Sequence, residues 1–225
     1  MSLVECYADP SAGAIACGDA ILRRLNAAVA ERGRATLAIS GGSSPKLMFQ
    51  FFAQARQNWS RVHVYWVDER LVPLDDPRSN YKLAFDAWLA HVSPGSVHRV
   101  LTELGGPDAA WRYNEELRSV GRFDVIHRGM GADGHTASLF PGDPLIADRV
   151  RFAAAAPGTP PRITMLPAVL EAARWTAVLT TGADKAAMLE QVLHAPYDPT
   201  KYPAQIAALD PAISTWFVDQ AAHPC

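Results

Sequence analysis

The sequence has few cysteines and lacks long apolar runs. Its three cysteines, Cys6, Cys17 and Cys225, lie far apart and show no C-x-x-C spacing, which argues against a disulfide framework and against a zinc site. No segment approaches about 18 uninterrupted apolar residues. The first residues, MSLVECYADP, contain acids and a proline where a secretory signal would be basic and then apolar. We therefore expect reduced cysteines and a cytoplasmic protein that does not bind membranes.

The sequence also lacks an excess of charge of one sign. It carries 21 basic and 23 acidic residues, for a formal net charge of -2, and its basic residues form no run. A nucleic-acid interface would need clustered basic residues, so the expected partner is a small molecule. The 225 residues show no break in composition and no low-complexity linker. We expect a single domain over residues 1–225 that is a monomer or a weak dimer.

Apolar strand-like segments alternate with helical ones along the chain. The pattern predicts strands at 35–40, 62–68, 97–100, 123–128, 162–166, 176–181 and 214–222. It predicts helices at 13–31, 45–55, 80–91, 108–119 and 183–193, and a further helix that starts at Pro167. Several of the strands are apolar throughout, which is typical of a mostly parallel sheet with helices on both faces. This predicts a Rossmann-like α/β fold with ligands at the carboxyl ends of the strands.

The stretch GMGADGHTASLFPG, residues 129–142, follows a predicted strand and has the G-x-G-x-x-G spacing of a dinucleotide-binding loop. That fingerprint also requires a long helix and an acid about 20 residues further on. Pro141 and Pro144 would cut the helix short, and residues 149–157, RVRFAAAAP, contain no acid. The dinucleotide interpretation is therefore disfavoured.

The same stretch places Asp133 and His135 two residues apart in a glycine-rich turn. A carboxylate in this position can fix the tautomer of the imidazole and raise its basicity, so that the ring activates a water molecule. The structural alternative is that His135 caps the following short helix or satisfies a buried turn. A metal site is disfavoured, because the sequence contains no H-x-H, H-E-x-x-H or cysteine cluster.

The segment SGGSSP, residues 40–45, has the features of a phosphate site at a helix start. Its glycines allow an anion close to the backbone N–H groups, and Ser43 or Ser44 is the expected N-cap of a helix starting at Pro45. It is neither a P-loop nor a nucleophile elbow. The alternative is a tight turn with an ordinary serine cap. Lys185, in the first turn of a later helix, is unfavourable there unless an anion is present, and Arg162 can join it.

Six segments, in this order, resemble the 6-phosphogluconolactonase family, within the wider group that includes glucosamine-6-phosphate deaminase. They are SGGSSPKLMF, WVDERLVPLDDPRSNY, GMGADGHTASLFPG, PPRIT, LTTGADKAAML and WFVDQAA. The resemblance covers nearly the whole chain. It implies hydrolysis of 6-phospho-D-glucono-1,5-lactone to 6-phosphogluconate in the oxidative pentose phosphate pathway, in the cytoplasm and without a metal or cofactor.

The resemblance also implies roles for individual residues. His135 would be the general base, Asp133 would position it, and Arg70 would stabilise the negative charge that develops on the lactone oxygen. The implied phosphate-binding residues are Gly41, Gly42, Ser43, Ser44, Arg162 and Lys185. The implied pocket residues are Asp68, Glu69, Asn80 and Gly131.

Two alternatives to the lactonase remain. The deaminases carry a glutamate five residues after the histidine, for ring opening, but Phe140 occupies that position here. A sugar-phosphate-binding protein without turnover is the other alternative. The family usually has apolar residues where His127 and Arg128 stand, and the RITMLP segment is one residue short. A buried unpaired arginine costs several kcal/mol, so Arg128 should reach solvent, meet an acid or mark a changed pocket.

Overall fold

The computed structural model describes residues 3–223, and within that range strands alternate with helices. The strands are β1 (Leu3–Tyr7), β2 (Ala35–Ile39), β3 (Val62–Trp66), β4 (Asp68–Arg70), β5 (Ser96–His98), β6 (Val125–Arg128), β7 (Ala153–Ala156), β8 (Arg162–Met165), β9 (Thr176–Thr180) and β10 (Ser214–Asp219). The helices are α1 (Pro10–Arg32), α2 (Ser43–Gln54), α3 (Asn80–Ala87), α4 (Gly106–Val120), α5 (Pro167–Leu170) and α6 (Ala186–His194).

Seven of these strands form one parallel sheet in the order β1-β10-β9-β6-β2-β3-β5. Successive residues of a strand point to opposite faces, and the two faces bury separate apolar clusters. Val125 of β6 packs into the cluster that contains residues of α1, α2 and α3. The next residue, Ile126, packs into the cluster beside α4 and α5. The structure confirms the predicted α/β fold with a mostly parallel sheet.

The first helix is longer than its apolar pattern predicts because its ends are fixed by capping residues. The side chain of Asp9 accepts a hydrogen bond from Ala12 N, and Pro10 occupies the first turn, where a missing N–H costs nothing. Gly33 ends the helix with a left-handed φ of 75°. The helix therefore spans Pro10–Arg32, where the sequence predicts residues 13–31.

A second, three-stranded antiparallel sheet, β4-β8-β7, is absent from the sequence prediction. The predicted strand 62–68 is wrong at its end, because the chain changes sheets at Val67. The N–H of Val67 donates to Ile39 O in the large sheet, and its carbonyl accepts from Met165 N in the small one. The predicted helix 80–91 is also too long, since α3 ends at Ala87 and residues 89–91 form a separate short turn.

The cysteines agree with expectation in part. Cys17 is free and buried in α1. Cys6 is disulfide-bonded, so the expectation of a reduced thiol is wrong there, and Cys225 lies outside the described residues. Within residues 3–223, no helix has the length and apolar character needed to cross a bilayer.

Candidate active site

A cavity of about 120 Å³ opens at the carboxyl ends of the central strands. The residues that line it are Ser40, Gly41, Asp68, Arg70, Asn80, Gly129, Met130, Gly131, His135 and Ala137. Six of the residues that the sequence singles out, Gly41, Asp68, Arg70, Asn80, Gly131 and His135, therefore meet in one place. They come from the ends of β2 and β6, from β4 and from the start of α3.

The loop after β6 folds back on itself through hydrogen bonds that involve Gly131 and Gly134. Gly131 N donates to His135 O at 2.9 Å, and Gly134 N donates to Gly131 O at 3.0 Å. Gly134 has a left-handed φ of 85°, which favours glycine. A Cβ on Gly131 would lie 2.1 Å from His135 Nδ1. The glycine spacing therefore shapes a turn that packs directly against the imidazole.

Asp133 and His135 form a hydrogen-bonded pair in this turn. His135 Nδ1 lies 2.6 Å from Asp133 Oδ1, and the backbone N–H of His135 donates to the same oxygen at 3.1 Å. Partial burial opposes ionisation of Asp133, but the hydrogen bonds from His135 outweigh it and lower the pKa of the carboxyl. The ionised carboxylate can only accept, so Nδ1 carries the proton and Nε2 offers its lone pair. This is the tautomer that a general base needs.

The ring of Phe140 lies close to both the His135 imidazole and the Arg162 guanidinium. Its centroid lies 4.6 Å from that of the His135 ring and 5.3 Å from the guanidinium carbon of Arg162. The sequence uses Phe140 only to argue against a deaminase. In the structure it also restricts the position of the His135 ring.

Arg70 is held by the segment that leads into α3. Its Nη1 donates to Asn80 Oδ1 at 2.7 Å and to Arg78 O at 2.8 Å. Its Nε is buried and has no hydrogen-bond partner among residues 3–223. A Cβ on Gly41 would lie 1.8 Å from Asn80 Oδ1, so glycine at that position admits the Asn80 side chain. The arrangement leaves a cationic donor that faces a cavity and has no carboxylate partner in the described part of the chain.

Glu69 does not line the cavity, in contrast to the sequence expectation. It is 2% exposed, and its carboxylate accepts from Asn80 N at 2.7 Å and Tyr81 N at 2.6 Å, at the start of α3. It also accepts from Ser79 Oγ and from Arg70 N. Burial raises the pKa of Glu69, although the backbone hydrogen bonds oppose the shift. Its role is to hold α3, and with it Asn80, in place.

Asp68 lines the cavity and is fixed by a residue that the sequence does not single out. The hydroxyl of Ser138 donates to Asp68 Oδ2 at 2.7 Å, and Ser138 N donates to Thr164 Oγ1 at 3.1 Å. Ser138 belongs to the same loop as His135, three residues further on. No local pattern reveals this contact, because Asp68 and Ser138 are brought together only by the sheet.

Helix α2 begins at Ser43, two residues earlier than the sequence predicts. Gly42, with φ 126°, is the N-cap, and no side chain of the described residues caps the helix, so the prediction that Ser43 or Ser44 is the N-cap is wrong. The hydroxyl of Ser44 instead lies 2.6 Å from Thr181 Oγ1. The helix therefore starts with free first-turn N–H groups, which are suited to an anion.

The two predicted phosphate cations have different surroundings. Arg162 pairs directly with Arg70 across β4 and β8, and its Nε is buried without a partner in the described part of the chain. Lys185 precedes α6 and lies 3.0 Å from Asp184 Oδ2. It does not line the cavity, and the Ser44 to Thr181 contact links its loop to the start of α2.

Arg128 is shielded from solvent and meets no acid among residues 3–223. It is 1% exposed and donates to Thr136 Oγ1 at 3.2 Å and to the carbonyl of Ile206. Thr136 in turn donates to Gly129 O at 2.9 Å. Burial lowers the pKa of Arg128 to about 9. The residue therefore ties the loop that carries His135 to the segment before β10.

His127 takes no part in the cavity. It is fully buried on the face covered by α1 and α2, and neither ring nitrogen has a partner within residues 3–223. Burial lowers its pKa to about 3, which keeps the ring neutral. Across the described residues, no three His, Cys, Asp or Glu side chains are grouped so as to hold a metal ion.

The chain is similar to known proteins both in sequence and in fold. A family model described as glucosamine-6-phosphate isomerases/6-phosphogluconolactonase matches residues 8–216. A 6-phosphogluconolactonase of Synechocystis sp. is 35% identical over 90% of this chain and 89% of that protein. One of Haemophilus influenzae is 36% identical over 83% and 85%. The crystal structure of a 6-phosphogluconolactonase from Shewanella baltica superposes with a TM-score of 0.87 at 26% identity, covering 97% of this chain and 98% of that one.

Proposed function

The chain belongs to the family of glucosamine-6-phosphate isomerases and 6-phosphogluconolactonases, and we propose that it is a 6-phosphogluconolactonase. It hydrolyses 6-phospho-D-glucono-1,5-lactone to 6-phosphogluconate in the oxidative pentose phosphate pathway. The observation that carries this function is the His135–Asp133 pair, 2.6 Å apart, at a cavity that also contains Arg70. Such a pair activates water without a metal.

The proposed reaction begins with water between His135 and the lactone carbonyl. His135 Nε2 takes a proton from the water as its oxygen attacks the carbonyl carbon, and Asp133 stabilises the imidazolium that forms. Arg70, whose guanidinium has no carboxylate partner among the residues that the structure describes, stabilises the negative charge on the carbonyl oxygen. When the bond to the ring oxygen breaks, the imidazolium returns its proton to that oxygen. The product is the open-chain acid.

The substrate phosphate is assigned to the positively charged side of the site. The first turn of α2 supplies N–H groups at Gly42, Ser43 and Ser44 and the positive end of the helix dipole. Arg162 adds a cation with a buried, unpartnered Nε, and Lys185 lies on the loop joined to α2 through Ser44. A phosphate bound there would hold the lactone by the end remote from the reacting carbon. This contact would orient the lactone carbonyl for attack.

The same family contains deaminases, and one residue separates the two chemistries here. The side chain beside the His135 ring is Phe140, with ring centroids 4.6 Å apart. A phenyl ring can neither donate nor accept the proton that ring opening of an amino sugar needs. Lactone hydrolysis requires a base, a water molecule from solvent and an oxyanion donor, and the cavity offers His135 as the base and Arg70 as the donor.

The test presents both substrates to one preparation. The lactone is generated in situ and its disappearance is followed above the spontaneous rate, while glucosamine 6-phosphate is assayed for ammonia release. We expect accelerated lactone loss and no ammonia. A folded protein that accelerates neither reaction would favour a sugar-phosphate-binding protein, and ammonia release would assign the deaminase chemistry.

Further properties of the protein follow from this assignment. We propose that it acts in the cytoplasm as a single domain that spans residues 1–225, and as a monomer or a weak dimer. Its partner is the sugar phosphate lactone, and neither nucleic acid nor a membrane is required. Sedimentation velocity at assay concentrations tests the oligomeric state.

A further inference from the structure

A second group of a serine, a histidine and a carboxylate joins β5 to α4, and none of its three residues lines the cavity described above. Ser96 Oγ is 2.5 Å from His98 Nε2, and His98 Nδ1 is 2.6 Å from Glu116 Oε1. A serine, a base and an orienting carboxylate joined in this order are the elements of an activated nucleophile. We propose that Ser96 is such a nucleophile, and that it is acylated by small activated esters with His98 as its base.

The hydrogen bonds impose one order on the protons. Ionised Glu116 accepts the Nδ1 proton of His98, so Nε2 of the neutral ring carries a lone pair and accepts the hydroxyl proton of Ser96. His63 Nδ1 also lies 2.6 Å from Ser96 Oγ. Because the hydroxyl has a single proton, His63 must donate. The Ser96 hydroxyl therefore donates to His98, and His63 donates to the Ser96 oxygen that would attack.

The stacking of Tyr65 and the burial of His63 stabilise this arrangement of protons in the network. Tyr65 stacks on His98 with ring centroids 4.2 Å apart and planes at 1°, which fixes the orientation of the base. Burial lowers the pKa of His63, with smaller contributions from His98 and Arg34, so His63 stays neutral at neutral pH. The charged side chains near the two histidines are Arg34 and Glu116.

The sheet edge provides a backbone donor next to Ser96. Val67 N donates to Ile39 O, so alternate residues of β3 face β2, and Val64 faces β5. Val64 pairs with Val97, and in a parallel pair the bonds go to the residues on either side of the partner. The N–H of Val97 therefore points to the open edge. A donor on the residue after the nucleophile is suited to a developing oxyanion.

The reaction is a balanced acyl transfer. Ser96 Oγ bonds to the ester carbonyl carbon, its proton moves to His98 Nε2, and that proton leaves with the alcohol or phenol as the ester bond breaks. Water then attacks the acyl-serine with His98 as base, which regenerates the hydroxyl and releases the acid. The network lies on β5, an edge strand of the large sheet, and not in a deep pocket. The expected substrates are therefore small esters with good leaving groups.

The probes are a fluorophosphonate, followed by intact and peptide mass spectrometry, and p-nitrophenyl acetate, followed by p-nitrophenolate release. We expect a phosphonyl adduct on Ser96 and ester turnover that falls about 10²-fold or more in Ser96→Ala. Glu116→Gln should slow both reactions. Ser60→Ala is the matched control, because Ser60 is exposed and bonds to Asn58 instead of a histidine.

The design separates this site from the lactonase site. Ser96→Ala should retain lactone hydrolysis, which also shows that it folds, while His135→Ala should lose lactone hydrolysis and keep the Ser96 adduct. The proposal is overturned if the wild-type protein carries no adduct on Ser96. It is equally overturned if ester turnover is unchanged in Ser96→Ala, or if Glu116→Gln reacts as fast as the wild type.

Discussion

Replacement of Gly131 by alanine should disable the base and leave the fold intact. The added Cβ would lie 2.1 Å from His135 Nδ1, 2.2 Å from Cε1 of the same ring and 2.7 Å from Asp133 Oδ1. Non-bonded heavy atoms sit at about 3.5 Å or more, so the ring must move by roughly 1 Å. The hydrogen bond between His135 Nδ1 and Asp133 cannot survive that shift unchanged.

A displacement of about 1 Å at a reacting group can cost about 10²-fold in rate, or about 2.7 kcal/mol of transition-state stabilisation. We therefore expect kcat for Gly131→Ala to fall about 10²-fold. KM should change less than kcat, because the atoms nearest to the added Cβ belong to His135 and Asp133 and not to the residues assigned to the phosphate. Gly131 has no left-handed φ, so alanine is compatible with its backbone and the thermal midpoint should stay within a few degrees.

The assay is steady-state lactone hydrolysis beside a thermal unfolding curve. Gly13→Ala is the matched control, because a Cβ there meets its nearest atoms at 3.8 Å, an ordinary contact. Wild-type kcat in a folded Gly131→Ala protein would refute the claim that the His135 ring must occupy its observed position.

Three further substitutions test the surroundings of the site. Glu69→Gln keeps the shape but leaves one of the N–H donors at the start of α3 unsatisfied, so urea unfolding should show a loss of about 1–3 kcal/mol. Arg128→Met removes the donors to Thr136 and Ile206, and kcat should fall about tenfold at constant KM; Arg128→Lys should restore part of the loss, and an equal loss in both variants would contradict the assignment. His127 has a folded-state pKa of about 3 against about 6.5 when unfolded, so between these values the unfolded chain binds a proton that the fold excludes. Stability should therefore fall as pH falls through that window, by about 2 kcal/mol at pH 5, and His127→Leu should abolish this dependence in urea titrations at pH 7 and 5.

The elements that the sequence predicts well are those whose signal is local. Buried parallel strands are apolar throughout, as in Val62–Trp66, and glycines end or begin the helices beside them. The Asp133–His135 pair is also local, since both residues belong to one turn. Their meeting at the cavity follows from the rule that parallel strands place their carboxyl ends together.

The parts that the sequence does not predict depend on contacts between distant segments. The small antiparallel sheet exists because Val67 bonds to two sheets at once, a feature with no sequence pattern. Glu69 and its neighbour Asp68 are both carboxylates, yet Glu69 accepts backbone N–H groups at the start of α3 and Asp68 lines the cavity. Successive residues of β4 point to opposite faces. The position of each carboxylate along the strand therefore decides which side it faces, and its residue type does not.

The central claim is that His135 is a general base held by Asp133, and chemical rescue tests it most directly. Lactone hydrolysis is measured for wild type, for His135→Ala with and without added imidazole, and for His194→Ala, whose exposed ring lies 3.6 Å from Glu190. We predict a loss of about 10²-fold or more in kcat for His135→Ala, partial restoration by imidazole, and no change for His194→Ala. Wild-type turnover by a folded His135→Ala protein would contradict the account.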